Sequence, residues 1–157
     1  MKKRNGFTLV EILIVVVILG ILAAIVIPQF SDASEEAKLS SLVSDLQTIR
    51  SQIQLYRAQH HHGTANLPGA TETALTFAES MTMYTIKDGT EADPQAPDPN
   101  GGVYGPYLLK IPTNPFNDSA VVAEDGTIGN GGAASGWEFN TTTGAFNADD
   151  SVPHGAL

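Results

Sequence analysis

The stretch MKKRNGFTLVEILIVVVILGILAAIVIPQF, Met1–Phe30, decides how this chain is read. Its apolar run, Phe7–Phe30, carries a single charge, Glu11. A run of about 20 apolar residues is what a helix needs to cross the hydrocarbon core of a bilayer. A carboxylate near the start of such a helix costs about 2.5–3.5 kcal/mol, so its presence points to function rather than anchoring alone. Lys2, Lys3 and Arg4 lie ahead of the run. Positive residues beside a membrane span stay cytoplasmic, so residues 31–157 are expected outside the cytoplasm as part of a single-pass precursor.

Three readings of this N-terminus compete. A secretory signal would have an apolar core of 7–15 residues and a small-residue cleavage site. Ser31-Asp32-Ala33 supplies a loose site, but the core is too long and Glu11 interrupts its start. A plain anchor explains the length and leaves Glu11 without a purpose. The third reading rests on likeness: Gly6-Phe7-Thr8-Leu9-Val10-Glu11, behind a basic leader and ahead of an apolar helix, resembles the N-terminal signal of type IV pilins and type II secretion pseudopilins.

That resemblance implies cleavage between Gly6 and Phe7 by an inner-membrane prepilin peptidase, then methylation of the new Phe7 terminus. It makes residues 1–6 the leader, 7–30 the membrane and filament-core half of a helix, and 31–157 the outer domain with the helix's amphipathic half. It assigns Glu11 to assembly, and Gly20 and Pro28 to helix flexibility. Physical reasoning agrees in part. A freed α-amino group has a reference pKa near 8, and in low dielectric Glu11 of one subunit gains from meeting that cation on another. Glycine costs about 1 kcal/mol in a helix interior, and Pro28 removes a backbone hydrogen bond and kinks the chain.

Charge divides sharply along the sequence. From Phe7 onward five basic residues face seventeen acidic ones, a net charge of −12. An acidic domain with so few Lys and Arg has no electrostatic footprint for nucleic acid. Cysteine is absent, so no disulfide framework and no thiol chemistry are available.

Beyond Pro28 the apolar pattern becomes periodic. Phe30, Ala33, Ala37, Leu42, Leu46, Ile49, Ile53 and Tyr56 recur mainly every three or four residues, one stripe of an amphipathic helix. Glu35, Glu36, Lys38, Asp45, Gln47, Arg50 and Gln54 form its polar face. The helix is predicted from about Phe7 to about Ala58, roughly 75 Å at 1.5 Å rise per residue. His60-His61-His62-Gly63 reads as a solvated, Gly-capped helix end. Adjacent histidines on a helix diverge in direction, which argues against a metal role.

The rest reads as short elements. The spacing of Ala74, Leu75, Ala78 and Met81 predicts a short helix within Thr71–Met83, and Asp93–Gly102, with three prolines, reads as an exposed loop. Gly105–Asn117, GPYLLKIPTNPFN, resembles the segment entering the small sheet of major pseudopilins, with Tyr107, Leu108, Leu109 and Ile111 covering the helix. Strands are expected around Ser119–Ala123, Gly136–Asn140 and Gly144–Asn147, the last two as a hairpin. Asp125-Gly126 and Gly129–Gly132 carry turn chemistry between them.

No serine elbow, HExxH or phosphate-binding glycine loop occurs, so no enzyme is expected. Calcium takes six to eight oxygens, and the resemblance brings in a calcium site at Asp149 or Asp150, set against the plainer reading of both as solvated loop residues. No other cofactor is implied. The fold class expected is α+β and pilin-like, a long N-terminal α-helix packed on a small antiparallel β-sheet of three or four strands. The function implied is that of a homo-oligomeric filament subunit, in a type II secretion pseudopilus or a type IV pilus. Its partners would be the inner membrane, the prepilin peptidase, an assembly platform and minor pilin subunits. A single-pass, membrane-anchored envelope binding module that never polymerises is the alternative.

Overall fold

The computed structural model describes residues 7–60, 66–69, 75–92, 102–124 and 134–157. Helix α1 runs Leu9–Gln59, continuous through Gly20 and Pro28. The chain separates into two units, Met1–Lys38 and Leu39–Leu157. In the first unit the described residues from Leu9 onward are helix, every side chain whose burial is described is exposed, and this part of α1 is long and apolar enough to cross a membrane.

The second unit is built on the apolar stripe of α1. Leu42, Leu46, Ile49, Ile53 and Tyr56 are fully buried, each one turn from the next, as the three-and-four spacing requires. They share a core with Leu67, Phe77, Met81, Trp137, Phe139, Phe146 and Ala148. Burying a large apolar side chain contributes about 1.5–3 kcal/mol, which holds together strands too short to be stable alone.

Helix α2, Phe77–Thr82, starts with a capping box. Glu79 N–H donates to Thr76 Oγ1 at 3.3 Å, and Thr76 N–H donates to Glu79 Oε2 at 2.9 Å. Strands β1, Thr85–Ile86, and β2, Val103–Tyr104, form an antiparallel pair. Strands β3, Val122–Glu124, β4, Trp137–Phe139, and β5, Phe146–Ala148, form a second sheet in that order. Helix α3, Val152–Gly155, follows.

The α+β class and the hairpin are as expected, with Phe139 opposite Phe146 and Trp137 opposite Ala148. The sheet is mixed rather than wholly antiparallel, because β3 joins β4 in parallel, Val122 opposite Trp137. Residues 125–136 between them give the length a parallel connection demands. Central β4 is buried throughout, including Glu138, which is 1% exposed. Leu109, expected on the core, is 96% exposed, whereas Tyr107, Leu108 and Ile111 do pack against it.

Arg50, assigned to the polar face, instead ties α1 to the hairpin. Its Nε donates to Phe146 O at 3.0 Å, Nη2 to Asn147 Oδ1 at 3.0 Å and Nη1 to Leu157 O at 2.9 Å. The predicted loop at 93–101 and the turns at 125–132 lie outside the described residues, as do His61, His62 and Gly63.

Gly136 enters β4 through a space with no room for a side chain, since a Cβ there would run into the Ser119 carbonyl oxygen. Its N–H and that of Trp137 both donate to Val121 O. Gly136→Ala is expected to cost about 2–4 kcal/mol by displacing β4 or the Asn114–Ser119 turn, read as a lowered Tm of the full chain in detergent.

Candidate functional site

The residues singled out for processing and assembly lie at the start of α1. Gly6 is outside the described residues, and Phe7 is 81% exposed. Thr8 takes the N-cap position. Its N–H and its hydroxyl both donate to Glu11 Oε2 at 2.8 Å, and Glu11 N–H donates back to Thr8 Oγ1 at 3.3 Å. This is a capping box, the reciprocal satisfaction of helix-end donors that Thr-x-x-Glu spacing produces. Thr8 went unassigned in the sequence reading, although the spacing Thr8-Leu9-Val10-Glu11 carries the signal.

The capping box changes the account of Glu11. Its carboxylate does not depend on a neighbour for hydrogen bonds, since one oxygen already accepts two. Among the described residues, no hydrogen bond reaches Oε1. Among the described residues, outside the helix's own backbone, no atom lies within 4 Å of where a Gly20 Cβ would stand.

His60 corrects the solvated-end reading. It is fully buried, its ring stacked on Tyr56 at 3.8 Å between centroids and 8° between planes. The Tyr56 carbonyl, 3.0 Å away, can only accept, so Nδ1 carries a proton. Nε2 shares a hydrogen bond of 2.8 Å with the Thr85 hydroxyl. Tyr107 Oη lies 3.4 Å from Nδ1 and donates to Gln59 Oε1 at 2.6 Å. Burial pushes the Tyr56 hydroxyl up to about 12, against a smaller opposing effect of the Ser80 hydrogen bond, and burial raises Tyr107 as well. His60 therefore joins the end of α1 to β1 as a core residue.

The acidic residues offered for calcium lie where the chain leaves β5. Ser135 Oγ donates to Asp149 Oδ2, while Asp149 Oδ1 and Ser151 Oγ are buried with no hydrogen-bond partner. Asp150 is fully engaged: Asn114 Nδ2 donates to Oδ1 at 2.8 Å, and His154 Nδ1 donates to Oδ2 at 2.5 Å. One free carboxylate oxygen falls far short of six to eight oxygens. Among the described residues no group of three or more metal-ligating acidic or histidine side chains forms. Among the described residues these side chains form no calcium cage, and one Asp150 oxygen is taken by His154. Phe116 packs against the His154 ring, 4.2 Å between centroids.

The long exposed apolar helix with a polar cap at its start, followed by a small α+β domain, defines a pilin-like fold. Comparison with known proteins narrows this class. Residues 1–27 match the family described as prokaryotic N-terminal methylation motif. The chain is 41% identical to type II secretion system core protein G of Dickeya chrysanthemi, over 82% of this chain and 73% of that one. It is 30% identical to core protein G of Klebsiella pneumoniae, over 82% and 81%. A fimbrial protein of Pseudomonas aeruginosa is 33% identical over 57% of this chain and 56% of its own. No solved structure matches significantly. The chain belongs to the type II secretion core protein G family of pseudopilins, which are structural subunits rather than enzymes.

The Asp150–His154 pair makes a pH prediction. Partial burial pushes the Asp150 carboxyl up, but hydrogen bonds from His154 and Asn114 and the imidazole charge together hold it below its usual 3.8. A carboxyl held low in the folded chain adds stability above its unfolded value, and that stability is lost as pH falls through 3.8 and below. Thermal melts of the full chain in detergent should fall steadily below about pH 5. In His154→Gln the slope should flatten and stability at pH 6 should drop by about 1–3 kcal/mol.

Proposed function

We propose that the chain is made as a single-pass inner-membrane precursor, cut between Gly6 and Phe7, methylated on Phe7 and assembled through its N-terminal helix into a type II secretion pseudopilus. The basic leader stays cytoplasmic and the domain from residue 31 onward lies outside. The observation that carries this reading is Glu11, the sole charge between Phe7 and Phe30, exposed on an apolar helix with one carboxylate oxygen held by Thr8 and the other unbonded among the described residues. An α-amino group created at Phe7 of a neighbouring subunit supplies the opposite charge where lipid or packed helices make an unpaired carboxylate expensive. Gly20 and Pro28 then serve as the places where α1 yields on packing, since both weaken a helix and, among the described residues, nothing fills the space beside Gly20.

The core protein G relatives support the pseudopilus over a type IV pilus, and the shorter fimbrial match keeps the pilus as an outcome of the test. A prepilin peptidase, an assembly platform and minor subunits are the partners this route requires.

Mass spectrometry of the mature N-terminus should find methylated Phe7. An intact Met1, or a start near Ser34, overturns the reading. Glu11→Leu should keep the full membrane level of the subunit while filaments vanish from electron micrographs, and normal filaments from that variant remove Glu11 from assembly.

A further inference from the structure

We propose that Asn140 is an acceptor for an N-linked glycan. Asn-X-Ser/Thr, with X other than proline, is the acceptor pattern in exported proteins and marks surface loops. It occurs twice in the chain, at Asn117-Asp118-Ser119 and at Asn140-Thr141-Thr142. The structure separates the two. The Asn117 amide nitrogen is spent, donating to Ser135 O at 2.7 Å, while its oxygen accepts from Ser119 N–H at 3.2 Å. That side chain fastens a partly buried turn.

Asn140 opens the tight turn between β4 and β5, at the tip of the hairpin. The turn is closed by Asn140 N–H to Ala145 O at 2.9 Å and Gly144 N–H to Asn140 O at 2.8 Å. Gly144 adopts φ 77°, and a Cβ there would meet Leu67 Cδ2 at 2.7 Å, so the position suits glycine. Asn140 Oδ1 accepts from Thr142 N–H at 3.0 Å and Thr143 N–H at 2.7 Å. This Asx turn folds the hydroxyl residue of the pattern back alongside the asparagine. Thr142 and Thr143 are exposed, Asn140 and Thr141 half-buried. Among the described residues no hydrogen bond engages the Asn140 amide nitrogen. The carboxamide is therefore held by its oxygen, and the atom that must react is the one left over.

The co-reactant is a sugar activated as an isoprenoid diphosphate, presented by a membrane-bound glycosyltransferase on the exported side. The amide nitrogen bonds to the anomeric carbon, and the bond from that carbon to the diphosphate oxygen breaks. The isoprenoid diphosphate departs with the electron pair, the amide proton goes to a base on the transferase, and nothing is oxidised or reduced. The inference rests on the proposed topology, which sets residues 31–157 on that side of the membrane.

The test takes full-length chain from the membranes of cells that naturally make it, with protease accessibility of the C-terminal domain scored in the same cells. Peptide mass spectrometry should find a glycan increment on most copies of the Asn140 peptide and none on Asn117. Thr142→Ala leaves the Asx turn in place, because that bond uses the backbone N–H, and should abolish the increment. Thr142→Ser should retain it, Asn140→Gln should lose it and Asn117→Gln should leave it unchanged. An accessible domain with unmodified Asn140, or an increment that survives Thr142→Ala, overturns the inference while leaving the topology intact. A domain shielded from protease in intact spheroplasts overturns the topology itself.

Discussion

The outer domain depends on one requirement, that the stripe Leu42, Leu46, Ile49, Ile53 and Tyr56 be covered on a helix whose other faces stay wet. Among the described residues no strand exceeds three residues. Segments that short cannot hold a sheet by their ladders alone. Their order comes from the aromatic side chains they lay on α1. Phe77 contacts Phe139 at 4.4 Å and Phe146 at 5.2 Å between ring centroids, and Trp137 stacks on Phe146 at 5.6 Å. The helix stripe and this aromatic layer are two halves of one core.

Polar contacts then fix the arrangement that apolar packing leaves loose. Arg50 binds the carbonyl of Phe146, so the hairpin carrying that ring cannot slide along α1 without breaking a charged hydrogen bond. Glu124 Oε1 accepts from Phe77 N–H at 2.6 Å, joining β3 to the first turn of α2. Buried Asn114 donates to Gly136 O at 2.8 Å and to Asp150, with its own oxygen accepting from Phe116 N–H, and Trp137 Nε1 donates to Pro112 O. These contacts bridge long stretches of sequence around a core with little regular structure of its own.

This division explains what could be read from the sequence. Helix α1, its buried stripe and the Trp137–Phe146 hairpin follow from periodicity, a local property of one segment. The Thr8–Glu11 box is legible too, from the Thr-x-x-Glu spacing at the start of the apolar run. Arg50 and His60 were misplaced for one reason: each is a polar side chain drawn in by partners distant in the chain. Arg50 meets residues 146, 147 and 157, and His60 meets Thr85. Nothing near them in sequence announces those partners. The parallel pairing of β3 with β4 escaped similarly, because strand direction depends on the path of the intervening chain rather than on either strand's composition.

The capping box also separates two needs of Glu11 that a sequence alone runs together. Hydrogen bonding is largely met within the chain, because Thr8 supplies two donors to one oxygen. Charge is not met, since neutral donors solvate a carboxylate without cancelling it, and in low dielectric the uncancelled charge dominates the cost. Between Phe7 and Phe30 there is no Lys, Arg or His. The cancelling charge must therefore come from outside the segment. Lys2, Lys3 and Arg4 precede it only while the leader remains attached. In the proposed route, removing the leader would take those three cations away and create one at Phe7, so that the charge of Glu11 would be cancelled by sharing with a second copy of the chain.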